Sequence, residues 1–266
     1  MAENEVHPKL SAFLVRRGLE IHRHSPTDEL IFDALDSEQE EALLREMKRY
    51  SVRLLLRDVI RFQGGFTIDM LGSFSSTEEK KRMAGVLLDI GIIAREGERM
   101  VLRRRPIRSF GPTLEWFICR LMEREFASPA VWGTRFRKVE SGGDFDVISA
   151  FEDELVYIEV KSAPPKGVEV NEVAAFLKRV NALLPRAALF FVDTELRMRD
   201  RIVLLFHEQF LRSLKDPFPR RLSIENLERE IFHINHRIFI LNSARDISKN
   251  FGVCFRDFLS YGLKVI

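Results

Sequence analysis

Cysteine is scarce: the 266 residues hold two, Cys119 and Cys254. Both fall in stretches that read as amphipathic helices, with no metal-ligand spacing around either, so neither a disulfide framework nor a zinc cluster is expected. An excess of either charge is also lacking. Forty-two basic against 40 acidic residues leave a formal charge of +2, so affinity for nucleic acid cannot be argued from the total and would need local patches. No run approaches about 18 consecutive apolar residues, so neither a membrane span nor a membrane partner is expected. The start, MAENEVHPKL, has no basic segment followed by an apolar one; a signal peptide is not expected, and the cytoplasm is the default location. Internal repeats and low-complexity segments are absent.

What is present describes a globular chain. Hydrophobic content of 45%, charged content of 31% and 22 phenylalanines suffice for a substantial core. The length suits two modest domains or one large one.

Residues 10–35 read as short strands, LSAFLVRRGLEI and LIFDAL, around a Ser-Pro-Thr-Asp turn. DSEQEEALLREMKRY follows as a charged helix, acidic in its first turn and basic in its last, which suits the helix dipole. Residues 1–50 thus form a small α/β segment. Residues 51–105 have a different logic. SVRLLLRDVIRF is an amphipathic helix ending at Gly64-Gly65, FTIDML a short second helix, and EEKKRMAGVLLDIG a third, capped by Ser75-Ser76-Thr77 and stopped by Gly91. IIAREGERMVLRR then reads as a hairpin. Three helices and a hairpin are the order of a winged helix.

The loop RPIRSFGP, at 106–112, is the best domain boundary. From 109 to 266 the pattern is α-β-β-β-α-β-α-β-α, a mixed sheet flanked by helices. Within it, SGGDFDVISAFEDELVYIEVKS reads as two antiparallel strands joined at Glu152-Asp153. Alternation puts Tyr157, Glu159 and Lys161 on one face and Ile158, Val160 and Ser162 on the other. A Glu and a Lys two apart in so apolar a strand are costly to bury unless each has a partner. The short turn brings Asp146 beside Glu159. Two carboxylates converging at a strand end make an oxygen-rich pocket suited to Mg²⁺ or Mn²⁺. A lysine beside them can orient a nucleophilic water and the phosphate it attacks.

A helix carrying Glu115 (GPTLEWFICRL), an Asp at the start of one strand (GGDFDVI), and Glu-x-Lys on the next (IEVKS) together resemble the PD-(D/E)XK nuclease superfamily. Its members include archaeal Holliday-junction resolvases and many restriction and repair endonucleases. The resemblance spans residues 109–262, with EVAAFLKRV and AALFFVD in fitting order. The first motif departs from it, reading Asp-Phe-Asp in place of Pro-Asp. Asp146 directly precedes the apolar run and is the first candidate, with Asp144 on the same face as a second. The resemblance implies a restriction-endonuclease-like fold and hydrolysis of phosphodiesters, most often in DNA. By it, Asp146 and Glu159 bind the metal with the Val160 carbonyl, Lys161 assists the attacking water, and Glu115 holds a second metal or a metal-bound water. The alternative is a module on the same fold that binds nucleic acid or regulates without catalysis.

Weaker features remain. Arg103, Arg104 and Arg105, with Arg95, Arg99 and Arg108, could grip phosphates from the wing, or be a solvated basic loop. The third helix opens Thr77-Glu78-Glu79, which would repel a phosphate backbone, so packing or homodimerisation suits it at least as well as base reading. Arg197 and Arg199 either border the substrate groove or cap the next helix. Lys178 and Arg179 either touch the substrate or are solvated. His22 with His24, and His233 with His236, lack further ligands at metal spacing. Trp116 and Phe117 are core.

Overall fold

The computed structural model describes residues 6–137, 139, 143–213 and 223–262. Lys138 at the end of an expected strand, Gly142, Leu214 and residues 263–266 lie outside them.

The N-terminal stretch differs from its expectation. Residues 8–16 form α1 (Pro8–Arg16) in place of a strand, with a proline in the first turn and His7 accepting the Lys9 N–H at 3.2 Å. Its buried side chains, Leu10 and Leu14, are four apart, the spacing of a helical face and not a strand face. A strand does follow, β1 (Ile21–His24). LIFDAL is a buried loop instead of a second strand. The Ile31 N–H bonds Thr113 Oγ1 at 3.2 Å, and Phe32 packs edge-on against Trp116 at 4.7 Å.

α2 (Ser37–Met47) starts at a capping box of Asp36 and Gln39. α3 (Tyr50–Arg61) buries Val52, Leu55, Leu56, Val59 and Ile60 along one stripe. The expected second helix is only a 3-10 turn at Ile68–Met70. α4 (Thr77–Asp89) is capped by Ser76, whose Oγ accepts the Glu79 N–H, and is followed by Gly91 at φ +77°. β2 (Ile93–Glu96) and β3 (Arg99–Leu102) make the hairpin, and Phe66 bridges to Met100 on its edge.

The larger part runs α5 (Gly111–Glu125), β4 (Ala130–Phe136), β5 (Phe145–Phe151), β6 (Glu154–Lys161), α6 (Val170–Leu183), β7 (Ala187–Val192), α7 (Leu204–Ser213), β8 (Glu225–Glu228), β9 (Ile231–Ile234), β10 (Ile238–Asn242) and α8 (Ile247–Gly262). Apart from the β2–β3 hairpin, the described strands form one sheet ordered β1-β4-β5-β6-β7-β10-β9-β8. β6, β7 and β10 are mutually parallel and the other pairs antiparallel, so this is an α/β fold on a mixed sheet. β1 lies on β4, so residues 21–24 belong to the main sheet and not to a separate N-terminal unit. The β8–β9 hairpin was not legible: β8, Glu-Asn-Leu-Glu, is an edge strand with mostly exposed side chains and no apolar alternation.

Both sheet faces are covered. α5, α8 and the helical module of α2–α4 share one continuous apolar cluster with one face, so the module has no core of its own. α1, α6 and α7 cover the other. Among the described residues no helix is long and apolar enough to cross a membrane.

Candidate active site

The β5–β6 turn fixes the register on which everything at this site depends. Glu152 and Asp153 both take left-handed backbone, at φ 48° and 57°, as a two-residue hairpin turn requires. The pairing that results sets Val147 opposite Ile158, and so carries Asp146 opposite Glu159 at the far end of the ladder. There Asp146 Oδ2 accepts the Val160 N–H at 2.7 Å. Glu115 stands one turn into α5, on the helix that packs against β4, β5 and β6.

The electrostatics divide these side chains into two groups. Burial pushes the Glu115 carboxyl well above its ordinary range, and repulsion from Asp146, Glu159 and Asp144 pushes it further, against a smaller pull from Lys161. Burial likewise raises Asp146, to about 8, with Glu159 adding to the effect and Lys161 opposing it. Glu159 goes the other way. Burial would raise it, but Lys161 and Arg179 together hold it below its ordinary value. It is wholly buried and ionised among cations, whereas Glu115 and Asp146 are partly buried and have no ion-pair partner among the described residues.

Glu159 is the centre of a network. Arg179 Nη2 donates to both of its oxygens, at 2.6 and 2.8 Å, and Arg179 Nε to Oε2 at 3.2 Å. Lys161 Nζ lies 2.9 Å from Oε1 and 3.0 Å from Glu172 Oε1. The Tyr157 hydroxyl donates to Oε2 and accepts from Arg179 Nε at 2.8 Å. Lys161 is therefore fixed between two carboxylates. Its pKa is raised because Glu159, Asp146 and the bonds to Glu159 and Glu172 outweigh its burial.

Three members of this network were not singled out as site residues. Arg179 is not solvated but buried on Glu159. A signal existed, since Val173, Phe176, Arg179 and Leu183 form the buried stripe of α6, and an arginine on such a stripe needs a partner. Glu172 is also the third residue of a capping box with Glu169. Tyr157 reads as a core aromatic; its ring stacks on Phe176.

The remaining candidates are dispersed. Asp144 is paired with Arg135 at the start of β5. Arg197 is exposed, 3.6 Å from Asp200, and Arg199 lies over the Phe232 ring. Lys178 is exposed on α6. On the wing, Arg103 is exposed, Arg104 bonds the Phe32 carbonyl at 2.8 Å and Asp33 at 3.0 Å, and Arg105 pairs with Glu96 at 3.0 Å. On α4, Arg82 is bound to Glu46 and Glu79, and Arg49 pairs with the same two carboxylates. Trp116 and Phe117 are core.

A second group, His233, His236 and Asp257, gathers at the β9–β10 turn and α8. The His233 and His236 rings stack at 4.0 Å with 27° between their planes, and His236 Nδ1 lies 2.7 Å from Asp257. Imidazole lone pairs lie in the ring plane, so stacked rings aim them nearly in parallel and not at one ion.

No family model matches the chain, and no curated protein matches it. Among solved structures it is similar to the protein VC1899 from Vibrio cholerae, at 11% identity and a TM-score of 0.52. The match covers 95% of this chain and 61% of that one, so the chain spans about three fifths of its length. At this identity the likeness shows the fold alone.

Proposed function

We propose that this chain is a divalent-metal-dependent nuclease on a restriction-endonuclease-like sheet, hydrolysing phosphodiester bonds, with DNA as its substrate. The observation that carries the reading is the pair Glu115 and Asp146. Neither has an ion-pair partner among the described residues, the charge of Asp146 raises Glu115, and both feel Lys161, which is held by Glu159 and Glu172. A pair of partly buried acids with raised pKa values is unfavourable as it stands, and a divalent cation offsets both charges at once. The donors are hard oxygens, from the carboxylates and the Val160 carbonyl, which suits Mg²⁺ or Mn²⁺.

The bound cation would supply Lewis-acid polarisation of the phosphate and a lowered pKa for the attacking water. The chain's own residues do the rest. Lys161 Nζ, pinned by Glu159 and Glu172, is a fixed positive charge for the phosphate oxygen on which charge develops. Its raised pKa keeps it protonated, so it acts as an electrostatic group and orienting donor and not as a base. Pinning also removes the cost of ordering a flexible side chain when the substrate arrives.

The test is cleavage of linear, branched and single-stranded DNA with Mg²⁺, Mn²⁺ or EDTA. Cleavage with either metal and none with EDTA is expected. Tight DNA binding without cleavage of any substrate would identify an inactive binding module instead.

A further inference from the structure

Glu159 has no room for a metal ion. An ionised carboxylate offers about four lone-pair sites. Here Oε1 faces Arg179 Nη2 at 2.6 Å and Lys161 Nζ at 2.9 Å, while Oε2 faces Arg179 Nη2 at 2.8 Å, Arg179 Nε at 3.2 Å and the Tyr157 hydroxyl. The side chain is 0% exposed. A cation reaching it would have to displace a donor and sit against two positive groups. The charges agree with the geometry, because those of Glu159, Glu172, Lys161 and Arg179 cancel. The carboxyl groups left without a cation are Glu115 and Asp146. Asp146 accepts one backbone N–H, and neither carboxylate has an ion-pair partner among the described residues.

We infer that the divalent cation in this chain is held by Glu115 and Asp146 and not by Glu159, which with Arg179 serves as the positioning pair that fixes Lys161. This departs from the ligand set that the superfamily resemblance implies, and it rests on the nuclease reading above. It explains a buried arginine two helical turns into α6: an arginine forks onto a carboxylate in fixed geometry, and the carboxylate so held fixes the lysine.

The experiment is Mn²⁺ binding to the full chain, by calorimetry or by the paramagnetic resonance of the free ion. The variants are Glu115→Gln, Asp146→Asn and the double variant Glu159→Gln/Arg179→Gln. The double variant removes one charge of each sign, so the net charge near the ion is conserved. It should bind Mn²⁺ within about threefold of the wild type, while Glu115→Gln and Asp146→Asn each weaken binding at least about tenfold. Its turnover should fall at least about tenfold with the Kd for DNA unchanged, a split that general loosening of the fold would not give. A wild-type crystal soaked in Mn²⁺ asks the same question without a variant, and the ion should lie within ligand distance of the Glu115 and Asp146 carboxylates and not of Glu159. If the double variant loses Mn²⁺ as Asp146→Asn does, or the ion touches Glu159, the assignment is overturned while the nuclease reading stands. If the wild type binds no Mn²⁺, both fall together.

Discussion

Arg53, on α3 of the helical module, and Asp193, just beyond β7, form an ion pair from which water is wholly excluded; each side chain is 0% exposed. Arg53 Nε donates to Asp193 Oδ1 at 2.8 Å, and its Nη1 donates to the Met47 and Lys48 carbonyls at 2.5 and 3.1 Å. Arg57, one turn on, donates to Asp193 Oδ2 at 2.6 Å. The Asp193 N–H bonds the Lys161 carbonyl at 2.8 Å, so the same residue that anchors the module also closes the strand end bearing the lysine.

Removing one partner strands a buried charge, which costs about 3 to 5 kcal/mol. Arg53→Met should therefore destabilise the protein by about 3 kcal/mol, the lower end because Arg57 remains on Asp193. Urea unfolding would measure it. Arg53→Met combined with Asp193→Asn should cost less than the two changes added together, since they share one interaction. A loss within about 0.5 kcal/mol for Arg53→Met would show that the contact holds nothing together.

On the nuclease reading proposed above, Lys161→Ala should lower turnover by about 10² to 10³ while leaving DNA affinity and folding largely intact, because the charge would act on the transition state. Asp146→Asn should abolish both metal binding and turnover. Single-turnover cleavage beside an equilibrium binding assay separates these. Cleavage unchanged in both variants would place the chemistry elsewhere or in a contaminant.

The raised carboxyls give the metal-free protein a signed pH dependence. The pKa of Asp146 is about 8 in the fold against an ordinary value near 3.8, so the folded state retains a proton that the unfolded chain releases. Its contribution to stability is whole below pH ~4 and is lost as pH rises to about 8. Glu115 acts in the same direction. Glu159, held below its ordinary value, acts oppositely: its contribution is lost as pH falls through that lowered value. In EDTA, urea midpoints should fall between pH 5 and pH 8, less steeply for Asp146→Asn, and Mn²⁺ should restore them at pH 8. Equal slopes for variant and wild type would contradict the burial of that proton.

On the wing, the three neighbouring arginines should behave differently. Arg103 is exposed with no ion-pair partner among the described residues, so Arg103→Ala should weaken binding alike for all DNA sequences and reduce the salt slope by about 0.9. Arg104→Ala should act on stability, through Asp33 and the Phe32 carbonyl. Fluorescence anisotropy across a salt series, with a melting curve for each variant, tests both. Lost discrimination between sequences at intact bulk affinity would point to base reading instead. With Arg82 bound to Glu46 and Glu79, α4 has one fewer free cation to offer a groove.

By itself the sequence determined whatever depends on near neighbours. Apolar runs bounded by turn residues marked the strands from β4 to β7, the charges at its two ends marked α2, caps and a glycine marked α4, and period-two alternation put Glu159 and Lys161 on one face. The Glu152-Asp153 turn, two residues long, set Asp146 opposite Glu159, because a hairpin turn dictates its register. Where the apolar pattern was short or weak, the reading failed: α1 was taken for a strand, and the polar edge strand β8 was missed. Only the tertiary structure decided which charges meet. Arg179 lies 20 residues from Glu159, and Arg53 lies 140 residues from Asp193. An arginine on an apolar stripe shows that it needs a partner, but only the fold shows which one, since an ion pair leaves no mark on the spacing of its partners along the chain. The division of the site into a neutralised network around Glu159 and two carboxyl groups without an ion-pair partner among the described residues is of this kind. It follows from burial and from the count of donors around each oxygen, and both exist only once α5 and α6 have been packed on opposite faces of the sheet.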